Sequence, residues 1–134
     1  MLAVDTSVVV AAFATWHEGH PAAFAALERQ PRLPAQVLIE SYSVLTRLPP
    51  PHRTSPEIAS AFLATRFSEP LLGLPPADYR RLVGRAVEDH LAGGAVYDAV
   101  VAWTAKRAGA TLLTRDRRAT RIYQAVGIRF ELLL

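Results

Sequence analysis

Four acidic residues occupy positions from which their side chains can meet. Asp5 directly follows the apolar run Leu2-Ala3-Val4, and Asp116 lies two residues past Thr111-Leu112-Leu113-Thr114. Glu40 sits at the border of an apolar helical stripe made by Val37, Leu38, Tyr42, Val44, Leu45 and Leu48. Asp98 shares a helix face with Val101, Ala102, Ala105 and Ala108, residues small enough to let a helix approach a sheet closely. Each acid has a purely structural alternative. Asp5 and Asp116 can cap the helices that follow them. A border glutamate commonly curls out to solvent. Asp98 stands in the first turn of its helix, where the dipole favours a carboxylate by ~0.3–1 kcal/mol. Their conjunction is what argues for chemistry. Carboxylates gathered without a cation repel one another, which raises their pKa values and costs stability. Oxygen-rich clusters suit Mg²⁺ or Mn²⁺, and such an ion lowers the pKa of a bound water and offsets charge on a phosphodiester during in-line attack.

The elements that must position these residues follow from periodicity and punctuation. Leu2 to Val4 reads as a short buried strand, and Ser7 to Phe13 as a helix with Thr6 or Ser7 as its cap. Pro21 opens a second helix to about Arg29, and Pro31 to Pro34 holds a brief second strand. An amphipathic helix from Ala35 to Leu48 is ended by Pro49-Pro50-Pro51. Ser55-Pro56-Glu57 caps and starts a helix to about Phe67, and Leu71-Leu72 suggests a third strand. Helices over Pro75–Leu91 and Val96–Ala108 close at Gly93-Gly94 and Gly109. Thr111–Thr114 is the clearest strand; a helix from Arg117 to Val126 stops at Gly127, and Ile128–Leu133 completes the sheet. Short apolar strands alternating with helices predict one α/β domain over residues 1–134, a three-layer sandwich around a mainly parallel sheet. In such sheets ligands gather at the carboxyl ends of the strands, which is where Asp5 and Asp116 stand.

Composition narrows the classes. The 134 residues are 51% hydrophobic and 20% charged, the profile of a globular chain with one core. The absence of cysteine excludes a disulfide scaffold, a thiolate zinc site and a cysteine nucleophile. No cationic stretch precedes the first apolar run and no run is long enough to span a bilayer, so the expectation is a cytoplasmic protein without membrane association. The formal charge is +3, from fifteen basic and twelve acidic residues. With the four candidate acids set aside, fifteen basic residues face eight acids, and a basic exterior around an acidic focus suits a polyanion. A solvated arginine-rich face reads equally well from charge alone.

Other features carry less. His17-Glu18-Gly19-His20 lacks the zincin spacing and reads as a loop before Pro21. No histidine stands in a recognisable triad motif. Trp103 reads as a packing or dimer-interface residue; Trp16 is the better candidate for stacking, with core burial as the alternative. Arg80, Arg81 and Arg85 form a basic patch open to RNA, to a partner or simply to solvent.

The segments Val4-Asp5-Thr6-Ser7, Val37-Leu38-Ile39-Glu40, Gly93-Gly94-Ala95-Val96-Tyr97-Asp98-Ala99 and Gly109 to Arg118, with its Leu112-Leu113-Thr114-Arg115-Asp116 centre, resemble a PIN domain of the VapC toxin group across nearly the whole chain. An Asp-Thr-Ser alone is weak; four acids in this order and these contexts are specific. The resemblance implies that Asp5, Glu40, Asp98 and Asp116 bind Mg²⁺ or Mn²⁺, with Thr114 lending its hydroxyl to the site. It implies an endoribonuclease in which water cleaves RNA to a 5′-phosphate and a 3′-hydroxyl. It further implies a homodimer and a cognate VapB-type antitoxin whose C-terminal segment covers the active site. Relatives often carry a further acid or an aromatic residue after the last Asp, where this chain has Arg117-Arg118-Ala119. Arg115, Arg117 and Arg118 are candidates to hold phosphates. Two other classes compete. An aspartyl-phosphate phosphatase would need an acid where Ser7 stands, and a non-toxin PIN-like protein would process or merely bind RNA or a partner.

Overall fold

A computed structural model describes residues 1–134. Three strands, β1 (Leu2–Val4), β2 (Thr111–Thr114) and β3 (Phe130–Leu132), lie side by side in that order and are all parallel. Ala3 stands opposite Leu112, and Leu113 opposite Glu131. The segments expected as strands at 31–34 and 71–72 contribute one parallel rung each, Ala3 with Arg32 and Pro34 with Leu72. Proline limits them: Pro31, Pro34 and Pro70 have no amide hydrogen to donate to a ladder. The donors that remain are used, Arg32 N to Leu2 O at 2.8 Å and Leu72 N to Leu33 O at 2.8 Å.

Seven helices surround the sheet: α1 (Thr6–Phe13), α2 (His20–Ala26), α3 (Ala35–Thr46), α4 (Pro56–Arg66), α5 (Pro76–Glu88), α6 (Ala95–Ala108) and α7 (Thr120–Val126). Successive residues of the inner strands (Ala3 and Val4, Leu112 to Thr114) are fully buried, so both faces of the sheet are covered. That is the expected α/β sandwich. α1 packs on α2 and α3, α3 on α4, and α6 on α7, while α1 and α6 both reach β2. Buried Ala11, Ala12, Ala99, Ala102 and Ala105 permit this close approach. α3 also touches α6, which brings the Glu40 and Asp98 helices together.

Several boundaries differ from the sequence expectation for local reasons. The cap of α1 is Asp5 rather than Thr6 or Ser7, its side chain accepting from the amides of Ser7 and Val8. α2 tightens into a 3₁₀ turn at Leu27–Arg29 that ends at Gln30 in a left-handed conformation. α3 buries Val37, Ser41 and Leu45, and Tyr42 is exposed instead of lying on the core stripe. The small Ser41 is what lets that face pack closely. α7 begins at Thr120, three residues later than expected, after a turn over Arg117–Ala119 whose Arg118 and Ala119 amides are capped by the Asp116 carboxylate.

Candidate active site

β1 delivers Asp5 to the carboxyl end of the sheet, where its amide donates to Leu113 O at 3.2 Å. Asp5 is 5% exposed. Its Oδ1 accepts from Ser7 N at 3.0 Å, Val8 N at 3.4 Å and the Ser7 hydroxyl, and its Oδ2 accepts from the Tyr123 hydroxyl at 2.8 Å. Burial pushes the Asp5 carboxyl above its ordinary value, against the opposing hydroxyls of Ser7, Thr114 and Tyr123 and the Val8 amide. The same pair raises the Tyr123 phenol, through burial first and then the negative charge of Asp5.

β2 ends at Thr114, which is fully buried. The Thr114 hydroxyl accepts from Asp116 N at 3.0 Å and lies 3.5 Å from Ser7 Oγ, so it shapes the loop that carries Asp116. Ser7 Oγ also accepts from Arg115 N at 2.8 Å. One serine thus staples the Asp5 turn to the Asp116 loop.

Glu40 on α3 and Asp98 on α6 line one cavity of about 700 Å³, together with Gln36, Ile39, Ser43, Arg47, Gly94 and Tyr97. Gln36 Nε2 donates to Tyr97 O at 3.3 Å across the two helices. The Asp98 carboxyl is pushed up to about 6, first by burial, then by the negative charges of Asp116, Glu40 and Asp5, with Arg118 opposing. Asp98 therefore lies within electrostatic reach of the other three acids. The side chains nevertheless stop short of a closed ligand cage, since no three of them converge tightly enough to grip one ion together. The donors are all carboxylate oxygens, the ligand chemistry that a hard cation such as Mg²⁺ takes.

The arginines beside Asp116 divide. Arg115 crosses over Gly19, where a Cβ would collide with its guanidinium, and donates from Nη1 to Leu133 O at 3.2 Å. Arg117 and Arg118 are exposed, with Arg118 Nε 4.0 Å from Asp116 Oδ1. A second cavity of about 610 Å³ runs along these three arginines to Leu132–Leu134 and Glu18. His17 Nδ1 bonds the Gly19 amide at 2.9 Å and His20 Nδ1 the Ala11 carbonyl at 2.9 Å, so both rings are tied to local backbone. Trp16 is 51% exposed and stacks on His52 at 4.0 Å, not in the core. Arg80, Arg81 and Arg85 lie on an exposed face, where Arg85 pairs with Asp89.

Two residues that hold Asp5 were not legible as site residues. Ser7 reads as a helix cap, and Tyr123 stands inside the last helix with no motif around it. The available signal for Tyr123 was physical: a phenol on the buried face of a helix needs a hydrogen-bond partner.

The PIN domain family model matches residues 2–125. The chain is 53% identical over 133 residues to the protein named Ribonuclease VapC40 of Mycobacterium tuberculosis, covering 99% of each. It is 41% identical over 128 residues to Ribonuclease VapC27 of the same organism, covering 95% of this chain and 93% of that one. Among solved structures, FitAcB from Neisseria gonorrhoeae superposes with a TM-score of 0.69 at 21% identity, covering 97% of this chain and 96% of that chain. PAE2754 from Pyrobaculum aerophilum gives 0.62 at 23% identity, covering 96% and 82%. Those two likenesses establish the fold, and the full-length sequence identities establish the kinship: the chain belongs to the PIN-domain family, where it is similar to the VapC-type members.

Proposed function

We propose that this protein is a divalent-metal-dependent endoribonuclease, the toxin half of a VapBC-type toxin–antitoxin pair, with Asp5, Glu40, Asp98 and Asp116 as its metal ligands. The observation that carries the reading is electrostatic. The negative charges of Asp116, Glu40 and Asp5, from three other segments, raise the cost of ionising Asp98, a cost that a cation removes. The names of the full-length relatives supply the substrate class. Mg²⁺ or Mn²⁺ held by these carboxylates would supply a bound water of lowered pKa and positive charge to face the scissile phosphate. The chain's own contribution is positioning. The Asp5 carboxylate is fixed through both oxygens, Ser7 and Thr114 set the Asp116 loop, and α3–α6 contact holds Glu40 beside Asp98. Arg117 and Arg118 are the exposed cations that would take flanking phosphates; Arg115 is partly committed to Leu133 O. Cleavage by water leaves a 5′-phosphate and a 3′-hydroxyl.

The partner surface lies next to this site. An apolar cavity of about 490 Å³ between α3 and α4 is lined by Leu38, Ile39, Tyr42, Leu63, Phe67 and Leu71, and Ile39 borders the Glu40–Asp98 cavity as well. An antitoxin segment seated there reaches the carboxylates, as inhibition by occlusion requires.

Asp98→Asn tests the reading. Metal-dependent RNA cleavage is expected to fall by more than the 10–100-fold typical of losing a merely supporting partner, with the circular dichroism spectrum unchanged. Cleavage at the wild-type rate by that variant rules out this mechanism.

A further inference from the structure

Asp5 is gripped from two directions. Every donor to Oδ1 is local, belonging to Ser7 or Val8 in the helix cap, while the donor to Oδ2 is the Tyr123 hydroxyl, 118 residues away on α7. The Tyr123 ring is 1% exposed and packs against Phe130 at 6.1 Å between centroids. A carboxylate oxygen offers about two lone-pair directions. Oδ1 accepts three bonds and has nothing to spare, whereas Oδ2 accepts one. We infer that Tyr123 is a positioning residue for metal binding: its hydroxyl fixes the rotation of the Asp5 carboxylate and leaves the second lone pair of Oδ2 as the cation ligand. The inference rests on the proposed reading of Asp5 as a metal ligand.

The geometry explains why an oxygen on α7 matters to a site built on β1. Without the phenol, Oδ2 loses its 2.8 Å donor, and the carboxylate can pivot about its anchored Oδ1. Partners of this kind orient metal ligands and their loss typically weakens metal affinity 10–100-fold.

Tyr123→Phe deletes one oxygen. Mn²⁺ is titrated calorimetrically into the full chain without RNA, and thermal melts are recorded in chelator. The dissociation constant for Mn²⁺ is expected to rise about tenfold or more, with a lower melting temperature in chelator. A tyrosine with a merely structural role lowers that melting temperature and leaves Mn²⁺ affinity as in the wild type, an outcome that overturns the inference. Phe130→Leu disturbs the packing of the ring but keeps the hydroxyl, and Mn²⁺ affinity is expected to hold; an equal loss in both variants assigns the effect to packing and also overturns it. Should Tyr123→Phe not fold in plain buffer, all titrations are made in trimethylamine N-oxide, which favours the compact state. Asp5→Asn in the same titration separates the two readings. Undiminished Mn²⁺ binding there defeats the metal-site reading itself, whereas weakened binding there with none lost in Tyr123→Phe defeats only the role of Tyr123.

Discussion

Asp98 holds a proton that an unfolded chain would release. Its carboxyl is raised from 3.8 to about 6 by burial and by Asp116, Glu40 and Asp5. Between those values the folded state binds more protons than the unfolded state, so metal-free stability falls as pH rises through the window and stays low above it. Asp98→Asn carries no such titration. In chelated protein the melting temperature of Asp98→Asn relative to wild type is expected to climb between pH 3.8 and about 6, then level off. A pH-independent difference would mean that neither burial nor the neighbouring acids raise Asp98. Added Mg²⁺ or Mn²⁺ is expected to stabilise the wild type more than the variant. The four acids stood out in the sequence as candidates because each carries its own local context. Ser7 and Tyr123 were not, since a hydroxyl announces nothing about a partner brought to it by the fold.

At the scale of elements, the turns after β1 and β2 are joined through Ser7. Its hydroxyl donates to Asp5 Oδ1 and accepts from Arg115 N, so Ser7→Ala removes one donor and orphans a backbone amide. The expected cost is about 1–3 kcal/mol, read as a shift of the denaturation midpoint. Ser7→Thr, which keeps the hydroxyl, should lose less. Helix stops were clear beforehand where backbone conformation dictates them: Gly109 and Gly127 both sit at positive φ in C-terminal caps. Helix starts were less clear. α7 was expected from Arg117 but begins at Thr120: Asp116 caps the turn over Arg117–Ala119, and the first helical bonds are those of Ile122 N and Tyr123 N to Ala119 O. The strands around 31–34 and 71–72 shrank to single rungs for want of proline amides.

Across the whole molecule, charge and exposed apolar surface define where partners would come. Arg117 and Arg118 flank the acids without firm partners, so they should contribute counterion release on RNA binding. Replacing both by alanine is expected to flatten the log Kd against log salt slope by about 1.4, two contacts at roughly 0.7 each for a single strand. Asp98→Asn protein serves for that measurement, because it is expected to bind without cutting. On α5, Tyr79, Val83 and Val87 form an exposed apolar stripe at helical spacing, with Val87 73% exposed. An exposed apolar stripe of this kind is a candidate association surface, and the homodimer that the family resemblance implies would cover it. Val83→Glu is then expected to shift the sedimentation coefficient to that of a monomer; an unchanged dimer would place the interface elsewhere. No helix is long and apolar enough to cross a membrane.

The sequence by itself determined the kinds of chemistry open to this chain. It held four acids at the ends or borders of apolar segments, no thiol, an excess of arginine, and an alternation of strands and helices that only a covered parallel sheet satisfies. Those properties are local, written in residue type and short-range period. The tertiary structure alone decided which oxygen of Asp5 is saturated and which is left open, that Thr114 is buried beneath the Asp116 loop, that Trp16 lies outside the core, and that Arg115 is drawn to Leu133. The reason is geometric. The contacts that decide them join distant positions, 18 residues apart for Arg115 and Leu133 and 118 for Asp5 and Tyr123; their meeting is fixed by the packing of helices on the sheet, and no spacing along the chain encodes it directly.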